Sequence, residues 1–210
     1  MISPRVFTGG DLATNGYLLE GEEGYICFDA PEGMGRELMR SEIKPVALVL
    51  THGHFDHMWD SVLVQEDHHC PVYVHPADRD MVLDTSYVRM FGVVPSIRPP
   101  TEVQDLVVPD QGQAEFICAG EKFQIFHIPG HSPGSVAFYH PGWGVLISGD
   151  TLFCGGVGRW DLPGGSRTAL LQGLRKHIVP LPPETRVYAG HGPRTTIGHE
   201  RETNPYLDIV

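Results

Sequence analysis

Short apolar runs, separated by polar or glycine-rich turns, give the first map of this chain. Residues 15–19 and 25–29 flank the turn Gly21-Glu22-Glu23-Gly24, which predicts a β-hairpin. Met34, Leu38, Met39 and Ile43 recur at helical spacing, and Pro45 closes that helix. The unbroken apolar run 46–50 has the pattern of a buried strand. A helix over 58–66, a strand over 72–75 and a helix from Pro76 to about Ser86 follow. This alternation of strand and helix predicts an α/β layering.

From 87 to 110 the periodicity breaks, with Pro95, Pro99, Pro100 and Pro109 set among Phe91, Val93, Val94 and Ile97. The stretch reads equally as a binding loop or as a packed surface crossing. Tyr87, Arg89, Phe91 and Arg98 are its candidate substrate contacts. Strands at 115–118, 122–127, 135–139 and 145–148, joined by Gly- or Pro-rich turns, then predict an antiparallel meander. A helix over 168–178 and a strand over 187–189 complete the pattern. No stretch has linker composition, so the 210 residues read as a single domain.

The apolar runs share one habit: several end in polar residues held by glycines. The run 46–50 delivers Thr51-His52-Gly53-His54-Phe55-Asp56-His57. Later runs end in Pro129-Gly130-His131, Gly149-Asp150-Thr151 and Gly190-His191-Gly192-Pro193. Imidazole and carboxylate are ligands that zinc, iron and manganese accept. His52 and His54, two apart on an extended segment, can grip one cation, while Asp56 and His57 suit a second one nearby. If a helix follows, its N-terminal dipole favours an ionised Asp56. Other polar residues have plainer readings. Asp29 is a carboxylate satisfied by loop amides and by groups behind the ligands. His68, His69 and Cys70 form a solvated connection, His75 is a satisfied core imidazole, and Cys154 is a small packed thiol.

Composition narrows the partners. A net charge of −11, from 15 basic and 26 acidic side chains, opposes a nucleic-acid partner. No apolar run approaches membrane-spanning length. The first five residues lack the pattern of a signal peptide. Four dispersed cysteines without a C-x-x-C pair read as reduced thiols, which places the chain in the cytoplasm.

With T-H-G-H-F-D-H at 51–57, P-G-H-S-P-G-S at 129–135, G-D-T-L-F at 149–153, G-R-W-D-L-P-G-G at 158–165 and G-H-G-P at 190–193, the chain resembles the metallo-β-lactamase superfamily. Within it, the chain is similar to short hydroxyacylglutathione hydrolases (glyoxalase II-like proteins). The resemblance implies an αββα four-layer sandwich of two mixed β-sheets flanked by helices. It assigns His52, His54 and His131 to one metal ion and Asp56, His57 and His191 to a second, with Asp150 bridging both. The two divalent cations, zinc by default with iron or manganese also accepted, would ionise a water that attacks a small-molecule thioester such as S-lactoylglutathione. Asp56 and Asp150 are then the catalytic carboxylates. Arg159 in G-R-W-D either anchors a substrate carboxylate or pairs with Asp161.

The commonest zinc β-lactamases carry cysteine where Asp150 stands, which argues against antibiotic hydrolysis. Two alternatives stay open: a mononuclear-iron persulfide dioxygenase using His52, His131 and Asp150, and a metal-binding protein without catalysis. The chain departs from the family pattern in two places. Met58, Trp59 and Asp60 stand where the family usually supplies a glycine. Beyond Thr203-Asn204-Pro205-Tyr206 there is no room for the C-terminal helical domain that holds glutathione in full-length glyoxalase II enzymes.

Overall fold

Two mixed β-sheets of six strands each carry the chain. The computed structural model describes residues 3–91 and 97–207; Val93, Val94, Pro95 and the Phe91 side chain lie outside the described residues. By contact density the chain divides into two units. The N-terminal unit runs to Leu106 and includes Ile117–Glu121; the C-terminal unit holds Val107–Phe116 and the chain from Lys122 onward.

In the N-terminal unit, β1 (Arg5–Gly9), β2 (Thr14–Gly21) and β3 (Gly24–Phe28) pair antiparallel. The predicted hairpin is therefore present, with β1 added at its edge. Helix α1 (Met34–Ser41) returns the chain to β4 (Pro45–Val49), which lies parallel to β3. Helices α2 (Phe55–Met58) and α3 (Ser61–His68) lead to β5 (Val72–Val74), parallel to β4. A 3-10 turn at Pro76–Asp78, α4 (Arg79–Leu83) and a second 3-10 segment at Thr85–Phe91 precede β6 (Gln104–Asp105). Leu18, Cys27, Met34, Leu38, Leu48 and Val74 are among the buried side chains of this unit's core.

The second sheet begins with β7 (Gln113–Cys118) and β8 (Glu121–His127). It continues with β9 (Val136–His140) and β10 (Val145–Gly149), antiparallel in turn as the meander pattern predicts. A two-residue hairpin, β11 (Leu152–Phe153) with β12 (Gly156–Val157), projects after β10. Helix α5 (Arg167–Gly173) runs on into a π-helical turn at Leu174–Ile178. Strand β13 (Arg186–Ala189) then lies parallel to β10, with β14 (Thr195–Thr196) outside it and α6 (Ile197–Thr203) following. Phe126, Ile128, Leu146, Leu170, Leu174 and Val187 are among this unit's buried core. Each such side chain contributes about 1.5–3 kcal/mol on burial.

The helix read over 58–66 is instead two helices, broken at Asp60. Asp60 Oδ2 accepts the Gly33 and Gly35 N–H groups at 2.9 and 3.0 Å, so it satisfies two donors at the start of α1. That tie turns the residue away from a continuous helix. The helix read from Pro76 to Ser86 shortens to a 3-10 turn and α4 for a related reason: Asp78 points back at the loop before it.

Candidate metal centre

In the N-terminal unit one buried carboxylate orders the histidine loop. Asp29, at the end of β3, accepts the Thr51 N–H at 2.8 Å, the Thr51 hydroxyl at 2.8 Å and His57 Nδ1–H at 2.7 Å. Because the Thr51 hydroxyl proton goes to Asp29, its oxygen can only accept from His52 Nδ1, 3.0 Å away. One carboxylate thus sets the tautomers of two imidazoles and makes Nε2 the unprotonated nitrogen of each, the form that ligates a cation. Hydrogen bonds behind ligating histidines do the same in metal proteins, where they also raise ligand basicity. This is the satisfied carboxylate expected from the sequence.

The loop backbone is clamped as well. Gly53 N–H donates to buried Asp78 at 2.8 Å, and the Gly53 carbonyl accepts the Tyr87 hydroxyl at 3.0 Å. The Phe55 N–H bonds to the same hydroxyl oxygen, so Tyr87 straddles the peptides on either side of His54. Burial, with the charges of Asp56 and Asp78 nearby, pushes the Tyr87 phenol far above its ordinary range and keeps it a donor. Asp56 lies in the first turn of α2, where its Oδ2 accepts the Thr14 hydroxyl at 2.7 Å and lies 3.5 Å from His57 Nε2. The ring of His52 lies 4.7 Å from that of His54 and 4.2 Å from that of His57, centroid to centroid. His52, His54, Asp56 and His57 therefore form one cluster.

In the C-terminal unit, sheet topology gathers the remaining candidates. β10 and β13 are parallel neighbours, with Gly149 opposite Ala189 and Gly190 N–H bonded to the Gly149 carbonyl at 2.8 Å. Their ends emerge side by side, delivering Asp150 and His191 together. His131 follows β8 and donates Nδ1–H to the Arg159 carbonyl at 2.8 Å, which again leaves Nε2 facing inward. Asp150 Oδ2 lies 3.4 Å from His131 Nε2 and 3.4 Å from His191 Nε2. Two donors on one tetrahedral cation with bonds of about 2.0–2.1 Å stand roughly 3.4 Å apart. Gly158 packs so tightly behind this cluster that a Cβ there would meet the Asp150 carbonyl at 1.9 Å and the His131 ring at 3.0 Å.

The other candidates have other partners. Arg159 and Asp161 are exposed and form a two-bond fork at 2.8 and 2.9 Å. That hydrogen bond depresses the Asp161 carboxyl to about 2. Arg98 pairs with Glu66 on the surface, Arg89 is exposed, and His75 accepts the Ala77 N–H at 3.2 Å. Cys154 is exposed, not packed. Sequence reasoning missed Thr14, Asp78 and Gly158. Asp78 stood in a P-A-D that signalled only a helix start, Gly158 opened the G-R-W-D-L-P-G-G motif without a packing role being read from it, and Thr14 had no local signature.

Comparison with known proteins decides the family. The model of the metallo-beta-lactamase superfamily matches residues 9–191. The chain belongs to this superfamily. Its fold is accordingly the metallo-β-lactamase fold, an α/β class of two mixed sheets flanked by helices. Among relatives of this superfamily, the hydroxyacylglutathione hydrolase GloC of Haemophilus influenzae is 36% identical over 77% of this chain and 75% of that protein. The crystal structure of the BLEG-1 B3 metallo-β-lactamase is 35% identical, covering 98% of this chain and 100% of that one, with a TM-score of 0.87. A di-iron-bound form of TTHA1623 is 40% identical, covering 97% and 100%, with a TM-score of 0.85. Imidazole nitrogens with defined tautomers and a carboxylate between two imidazoles suit divalent cations. Among the described residues no helix is long and apolar enough to cross a membrane.

Proposed function

We propose that this chain is a thioester hydrolase similar to the hydroxyacylglutathione hydrolases. In this reading both units act as one domain, and their two ligand sets hold a pair of divalent cations. His52, His54 and His131 would bind one, Asp56, His57 and His191 the other, and Asp150 both. The observation that carries the reading is the Asp150 carboxylate, with one oxygen 3.4 Å from each of two imidazoles in a set that contains no cysteine. The GloC relative supports the thioester.

Zinc or iron held there would polarise the scissile carbonyl and supply an ionised water. The chain's own part is to position and to exclude. Asp29, through His57 and through Thr51 to His52, fixes the two rings so that their Nε2 nitrogens would be the ligating atoms. Thr14 donates its hydroxyl to Asp56 and fixes the orientation of that carboxylate. A thiolate is a good leaving group, so no strong general acid is needed. The exposed Arg159 would exchange Asp161 for a carboxylate of the substrate's tail. The four unpaired cysteines fit a reducing compartment such as the cytoplasm.

The test is a substrate panel run on metal-loaded and metal-stripped protein: S-lactoylglutathione with thiol release, glutathione persulfide with oxygen uptake, and a chromogenic cephalosporin. The reading expects metal-dependent thiol release to dominate. Dominant oxygen uptake with about one iron per chain would replace it with a dioxygenase. Dominant cephalosporin cleavage would replace it with the activity that the name of BLEG-1 describes.

A further inference from the structure

We propose that Cys154, His199 and Glu200 form a second, separate metal site in the C-terminal unit, one for a borderline-soft divalent cation such as Zn2+. None of the three belongs to the ligand sets described above. Each offers one ligand atom, and these atoms all lie within 4.8 Å of one another.

Glu200 makes the cluster more than a chance meeting of side chains. It is fully buried, yet no lysine, arginine or histidine forms an ion pair with it among the described residues. Neutral donors hold it instead. The Thr195 hydroxyl donates to Oε1 at 2.6 Å, Asn204 Nδ2 to Oε2 at 2.7 Å, and Gly155 N–H to Oε2 at 2.9 Å. A carboxylate has about four acceptor positions, so one on Oε1 is still open. A buried carboxylate without a cation is costly, and a metal ion is one usual remedy. Donors fixed behind it are the arrangement that orients a metal-ligating carboxylate.

The other two groups are free to complete the site. The Cys154 thiol and the His199 ring are exposed, and neither has a hydrogen-bond partner among the described residues. Cys154 sits in the turn of the β11–β12 hairpin, and His199 and Glu200 sit on α6. A Cβ placed at Gly155 or Gly156 would meet nothing within 4 Å, so the turn leaves open space beside the thiol.

The donor set selects the ion. Thiolate, imidazole and carboxylate together are typical of Zn2+, with bonds of about 2.3, 2.0–2.1 and 2.0–2.2 Å, and three protein donors leave a fourth position for water. Magnesium and calcium prefer all-oxygen sets and are disfavoured. Binding forms a sulfur–metal bond as the thiol proton passes to solvent, so one proton is released and affinity rises with pH. An ion here would tie the hairpin that follows Asp150 to α6.

Cobalt(II) titration of the full-length, reduced protein tests this. A thiolate bound to Co2+ gives a near-ultraviolet charge-transfer band, whereas the His/Asp sets hold no sulfur and give none. The expected result is a saturable band equivalent to one thiolate per chain, bleached by Zn2+ and absent in Cys154→Ser. In His199→Ala the affinity for Co2+ should fall at least about 10-fold. Both substituted side chains are exposed, and circular dichroism checks that the fold is kept. Absence of the band in the wild-type protein, or its persistence in Cys154→Ser, would overturn the site.

Discussion

Asp29 sits at the end of an ordinary strand, with φ at +58°, yet the tautomers of His52 and His57 both depend on it. Replacing it with Asn tolerates the left-handed backbone but turns a donor toward His57 or Thr51. Asp29→Asn should therefore lower metal affinity about 10–100-fold while the fold persists, measurable by competition with a chromogenic chelator. Unchanged affinity would show that the tautomers are set elsewhere. At Asp161, the hydrogen bond from Arg159 depresses the carboxyl to about 2. A depressed acid favours the folded form when ionised. Its contribution is complete above about pH 4 and is lost as pH falls toward 2. Both groups are exposed, so the effect on stability is small and is better read by NMR titration. Arg159→Ala should return the Asp161 inflection toward the ordinary carboxylate value.

Elements show which parts of the fold were legible. β2, β3, β4, β9 and β10 are apolar runs bounded by turn residues, and periodicity alone found them. β1, β6, β11, β12 and β14 are short or edge strands with few buried side chains, so no apolar run marks them. α6 contains Gly198 and four charged or imidazole side chains, and packs mainly through Ile197 and Glu200. The candidate ligands were legible because they follow strand ends, and all but Asp56 and His57 stand next to a glycine. Their supports, Asp78 and Thr14, were not, since their partners lie 25 and 42 residues away. Tyr87→Phe tests one support. It leaves the buried Gly53 carbonyl short of a donor and should cost about 1–3 kcal/mol in denaturant unfolding. A loss near zero would mean that water or another donor replaces the phenol. Gly158→Ala tests another. A methyl group 1.9 Å from the Asp150 carbonyl cannot fit without moving that turn, so metal content and turnover should both collapse.

For the molecule as a whole, the apolar pattern carried the α/β class and the family resemblance carried the two mixed sheets. The division into two units was not visible in a sequence without a linker. If the two act as a single domain, unfolding should be one cooperative transition for probes in either unit. Chelation should then shift both probes to the same lower midpoint. Separate transitions would assign the units independent stabilities. The charge of −11 agrees with a chain that handles small molecules, and a substrate held through one local arginine is compatible with that field once salt screens it.

The most direct test pairs metal analysis with S-lactoylglutathione hydrolysis in the wild-type protein and in Asp150→Ala. The account predicts two metal ions per wild-type chain with metal-dependent thiol release, and in the variant a loss of most bound metal with turnover reduced at least about 100-fold. A variant that keeps two ions and full rate, or a loaded wild-type protein no faster than the stripped one, would contradict it.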